Sequence, residues 1–161
     1  MVSVVEKLRK LECPINWDLE QIPWTTSASP KLLLNKLDGE SGNADGSSTW
    51  QKFSQRFVLA YIEYRNHDNE GDLRKMKNFL EMIESILEEN KHDDFINKYV
   101  ESVEYVKNAM LAHYFFKADR DILTESYLAK PAFQDLPSRT RAGIFSIKAC
   151  CIMEYGPGGG F

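Results

Sequence analysis

The chain has 161 residues, 43% of them hydrophobic and 12% aromatic, enough apolar material for one packed domain and too much for disorder throughout. Its formal charge of −4 gives no broad basic footprint for nonspecific nucleic-acid binding, and leaves room only for a local basic pocket. The three cysteines, Cys13, Cys150 and Cys151, are an odd set with two adjacent; that is no disulfide framework and fits a reducing, cytoplasmic compartment.

No apolar run reaches the roughly 18 residues of a membrane span, and the charged, amphipathic N-terminus does not read as a signal peptide. Residues 2–12 read as a helix with Val4, Val5, Leu8 and Leu11 inward, stopped by Pro14. An irregular stretch follows, carrying Trp17 and Trp24 among Pro14, Pro23 and Pro30. Rings of that size in such a connection are expected to pack on the first helices rather than to stack on a ligand. Residues 31–37 form a short helix after Pro30, and 38–48 form a Gly-, Asp- and Ser-rich loop. Ser48 or Thr49 caps the next helix.

Residues 53–87 organise the chain as two helices joined by the polar turn 66–71. Phe53, Phe57, Ala60, Tyr61 and Tyr64 line one face of the first, and Leu73, Met76, Phe79, Leu80, Ile83 and Leu87 line the second. Such a pair cannot bury both stripes alone and needs a neighbouring pair. The second helix breaks near residues 91–93. Residues 95–117 read as one long helix, apolar on more than one side and so buried between neighbours. Residues 118–121 turn the chain, 122–130 form a short helix ended by Pro131, and 138–155 form the last helix, with Ile144, Ile147, Cys151 and Ile152 on one side. The glycine-rich residues 156–160 end it. No segment alternates as a strand would. The expected fold is all-α: a cap region over 1–47, then about two and a half stacked helical hairpins over 48–161 of tetratricopeptide type, an α-solenoid fragment.

The large–small pair Leu59-Ala60 recurs as Leu111-Ala112, about 52 residues on, against roughly 34 for a plain tetratricopeptide period. With LRKLECPINWDLE (8–20), LAYIEYRNHDNEGDLRKM (59–76) and the Gly143-Ile144-Phe145-Ser146-Ile147-Lys148 run, the chain resembles the N-terminal part of the interferon-induced proteins with tetratricopeptide repeats. Ile144 stands where that family has a tryptophan. The resemblance implies a portion of a longer protein that is non-enzymatic and binds the 5′-phosphorylated or capped end of RNA in an antiviral-type role. It assigns Lys148 to the RNA phosphates, with Arg141 extending the basic strip because seven residues return to one helix face. The alternative for Lys148 is a solvated lysine. On the short helix at 31–37 only Lys31, Asn35 and Lys36 offer polar contacts.

Other chemistry is weak. His67, His92 and His113 lie far apart and no Cys-x-x-Cys spacing exists, so no metal or cofactor is expected. Asp119, Asp121 and Glu125 lack the remainder of a calcium loop. Glu63 with Glu81 or Glu84 would be a carboxylate pair only if the hairpin faced them together. No nucleophile arrangement and no phosphate loop is present. The competing expectation is a protein-interaction scaffold that binds a peptide or self-associates into a homo-oligomer through an uncovered face of the C-terminal helix, Ile144 to Ile152.

Overall fold

The computed structural model describes residues 3–19, 48–65, 73–128 and 131–155. Within them lie seven α-helices: α1 (Val4–Arg9), α2 (Thr49–Arg65), α3 (Leu73–Glu89), α4 (Asp94–Lys98), α5 (Val100–Lys117), α6 (Asp121–Leu128) and α7 (Ser138–Tyr155). Two 3-10 turns, Pro14–Asn16 and Phe133–Asp135, complete the regular structure, and the described residues include no strand. The all-α expectation holds. Trp24, the helix expected at 31–37, the loop expected at 38–47, the turn expected at 66–71 and the glycine-rich end lie outside the described residues.

Local chemistry sets the helix ends. Ser3 caps α1 by accepting from the Glu6 N–H at 3.2 Å. Ser48 does the same for α2 through Gln51 at 3.1 Å, and Asp93 for α4 through Ile96 at 3.0 Å. α1 is shorter than the helix expected over 2–12. The Asn16 amide reaches back and donates to the carbonyls of Leu8 and Leu11, both at 2.7 Å, and these bonds close the helix before Pro14. Of its expected inward residues Leu8 is buried, but Val5 is 42% exposed.

The helix expected over 95–117 is broken at Tyr99, whose φ of −116° and ψ of 17° leave the helical region. No proline or glycine marks the break. There the rings of Trp50, Phe95 and Tyr99 meet: Trp50 lies 5.6 Å from Phe95, and Phe95 lies 5.1 Å from Tyr99. Asp119 takes a left-handed φ of 58° in the turn from α5 to α6.

α2 is the post around which the rest packs. Phe53, Phe57, Ala60 and Tyr61 are buried as expected, but so are Val58, Leu59 and Ile62 on its other faces. α3 and α7 both lie along it. α3 keeps a single stripe, with Met76, Leu80, Ile83 and Leu87 buried. α5 packs against α3, α6 and α7 and buries Val103, Val106, Ala109, Met110 and Ala112. The pairs α2–α3 and α5–α6 are the two hairpins. In a one-dimensional stack α7 would touch only the hairpin before it. Here it runs back along α2 as well as α5, so the helices close on each other. Ile144, Ile147 and Cys151 are therefore fully buried rather than uncovered. The cap region joins the same core through Cys13, Trp17 and Leu19.

The crossing of α5 and α7 depends on Gly143. A Cβ there would stand 2.6 Å from Ser102 Cβ. The Ser102 hydroxyl donates to the Thr140 carbonyl at 2.7 Å in the same buried contact. Gly143→Ala must push the helices apart, and overpacking of this kind costs about 1–3 kcal/mol. The urea midpoint should fall with an unchanged m-value; an unaltered midpoint would contradict the close approach.

His113 ties α5 to the cap. Its Nε2 lies 3.3 Å from the Asn16 amide nitrogen that also caps α1. Burial pushes the imidazole pKa down to about 4, against a smaller upward influence of the backbone hydrogen bond with Leu8. Between pH 6.5 and about 4 the unfolded chain therefore binds the proton that the folded chain refuses. Stability contributed by the neutral ring is present above pH 6.5 and is lost as pH falls toward 4. The loss amounts to about 3 kcal/mol at most. Urea melts between pH 7 and pH 4 should show a steeper decline for the native chain than for His113→Gln, and parallel declines would show that His113 plays no part.

Candidate functional site

Two regions carry chemistry that packing alone does not consume. The first is the basic side of α7. Arg141 and Lys148 stand about two turns apart on one face, about 10 Å along the axis. Both are half-buried. The Arg141 guanidinium donates through Nη2 to Ser138 Oγ at 3.3 Å, within its own first turn. Lys148 Nζ lies 5.9 Å from the centroid of Trp17. Trp17 is itself buried, and its indole N–H donates to Glu12 Oε2 at 2.7 Å. The expected packing role of this tryptophan thus holds, and the ring also forms a platform under the Lys148 ammonium. Arg139 is exposed on the same helix, and Lys31, Asn35 and Lys36 lie outside the described residues.

The other sequence candidates take ordinary places. Glu84 is held by Lys107, and Lys107 also pairs with Glu104 at 2.9 Å. Burial lowers the Lys107 pKa. Glu81 reaches Lys77 at 3.9 Å on the surface of α3, whereas Glu63 is buried on α2. Asp119, Asp121 and Glu125 are exposed, and His92 is exposed while His113 is buried. Among the described residues no three His, Cys, Asp or Glu side chains are grouped to hold a metal. No described helix is long and apolar enough to cross a membrane. Cys13 and Cys151 are buried thiols whose pKa burial raises, Cys13 to about 12; Cys150 is half-buried, and all three are free.

The second region was not singled out from the sequence. A half-open cleft of about 290 Å³ lies where α5, α6, the Phe133–Asp135 turn and the start of α7 converge near Leu11. Glu101, Glu104, Tyr105 and Asn108 of α5 line it, with Tyr127 of α6 opposite. The signal was present: these four α5 positions recur at three- and four-residue steps and make a polar stripe on a helix that is otherwise apolar. The partners across the cleft come from distant segments that no periodicity connects.

No family model matches this chain, and neither a curated protein nor a solved structure matches it.

Proposed function

We propose that this chain is a non-catalytic helical binding module, with tetratricopeptide-type hairpins α2–α3 and α5–α6, whose partner is another protein chain or a second copy of itself. The carrying observation is the outer row of α7. Phe145, Ala149 and Met153 stand at four-residue steps, with Phe145 54% and Met153 63% exposed. The Phe145 ring meets Phe133 at 5.4 Å, which extends the apolar edge onto the neighbouring turn. Exposed apolar rows of this kind mark protein contacts more often than isolated surface residues do. The free thiols support a reducing, cytoplasmic setting.

Sedimentation of the chain over a range of concentrations tests this reading in its self-associating form. Association that strengthens with concentration, and disappears in the Phe145→Ser/Met153→Ser double variant while the helical circular dichroism is kept, is the expected result. A monomer at every concentration in the native chain would remove this support.

A second reading is favoured by Arg141 and Lys148: a binding site for the 5′-phosphorylated or capped end of RNA, of the interferon-induced antiviral type. Two half-buried cations on one face are partly shielded from water, which strengthens their pull on phosphate. Lys148→Ala should then weaken binding of 5′-triphosphate RNA by about 1–3 kcal/mol and flatten its salt dependence, since a phosphate contact releases counterions. Equal binding of 5′-triphosphate and 5′-hydroxyl RNA, or an unchanged salt slope in the variant, would exclude this site.

A further inference from the structure

The cleft between α5, α6 and α7 has firm walls and a charged rim. Tyr105 forms one wall. Phe133 backs it at 6.4 Å, and its hydroxyl accepts from the Glu12 N–H at 3.4 Å. Tyr127 forms another, with its ring stacked on Phe115 at 5.5 Å and 14° between planes. Each ring is thus supported by the protein without a ligand. Ala109 is buried and also lines the cleft, and so small a side chain leaves space unfilled.

The rim is acidic. Glu101 Oε2 accepts from the Thr140 hydroxyl at 3.2 Å, which orients the carboxylate. Glu104 pairs with Lys107 at 2.9 Å, and Lys107 also holds Glu84. Among the described residues lining the cleft there are two carboxylates and no basic side chain. Arg139 and Arg141, the neighbours of Thr140 on α7, do not line it.

We propose that this cleft binds a small organic cation, with a flat apolar body between Tyr105 and Tyr127 and a primary ammonium or guanidinium between Glu101 and Glu104. Aromatic walls attract both the apolar body and the adjacent positive charge. The carboxylates supply charge-assisted hydrogen bonds that a neutral group cannot match. A nucleotide or a fatty acid would set its own negative charge against the rim. At about 290 Å³ the space suits a ligand of one or two rings, near the lower end of the roughly 300–1,000 Å³ of ligand pockets. The site shares no residue with the α7 row or with Arg141 and Lys148, so it stands apart from either reading of the partner.

The test uses the full chain and three compounds of one shape: 2-phenylethylamine, 2-phenylethanol and 3-phenylpropionate, followed by ligand-observed NMR. The amine should saturate with a dissociation constant on the order of 1 mM or tighter. The alcohol and the acid should bind at least about tenfold more weakly, the size of one charge-assisted hydrogen bond. Glu101→Gln and Glu104→Gln should each weaken the amine by about tenfold and leave the alcohol unchanged, with the helical circular dichroism kept. Tyr127→Ala should weaken both. Equal binding of amine and alcohol, full amine binding by the Glu101→Gln/Glu104→Gln double variant, or no saturable amine binding by the folded native chain would each overturn the proposal.

Discussion

The missing side chain of Gly143 lets α7 lie against Ser102 of α5, and much else follows from that approach. At this crossing the Ser102 hydroxyl finds the Thr140 carbonyl, a bond made inside the helix pair rather than to water. With α7 held there, its far end reaches α2, where Cys151 lies 3.8 Å from the Ser54 carbonyl and the Tyr155 ring meets Tyr61 at 5.8 Å. α2 is then covered by α7 as well as by α3, and its burial spreads beyond the single stripe of an ordinary hairpin helix. Because packing density is high, a shift of a few tenths of an ångström at Gly143 would be felt along that whole contact.

The same closure separates inside from outside on α7. Its inner side, Ile144, Ile147 and Cys151, belongs to the core, while Phe145 and Met153 remain on the surface. Arg141 and Lys148 lie at the margin between them, half-buried, and the lysine rests near Trp17 from the cap region. One helix thus offers both an apolar row and a shielded basic edge. The acidic cleft lies at the start of the same helix, around Thr140, and its charge has the opposite sign.

Much of the helical layout was legible because the chain carries explicit punctuation. Ser48 and Ser138 mark the starts of α2 and α7, and Pro131 follows α6. The stripe of α3 was legible in full, since that helix has one wet side. The break at Tyr99 was not, because it carries no proline or glycine and goes with the meeting of rings from α2 and the α4–α5 region. The wide burial of α2 was equally hidden, because α7 covers it and contacts between distant segments leave no trace in periodicity. For the candidate sites, position on a helix could be read while surroundings could not. Lys148 fell on α7 as expected, but its approach to Trp17 came from folding of the cap. The cleft left only its α5 stripe in the sequence; Tyr127 and Leu136 joined it through the turn of the chain after α5.

The buried thiols have a practical consequence. Cys13 sits on the inner side of the cap and Cys151 on α7 against α2, both fully enclosed and both with ionisation suppressed. Thiol reagents act on the thiolate, so neither sulfur reacts while its surroundings stay closed. Cys150, one position along and half-buried, is accessible by comparison. The chain therefore carries two built-in clocks for local opening: the alkylation rate at Cys13 times the lifting of the cap, and the rate at Cys151 times the parting of α7 from α2.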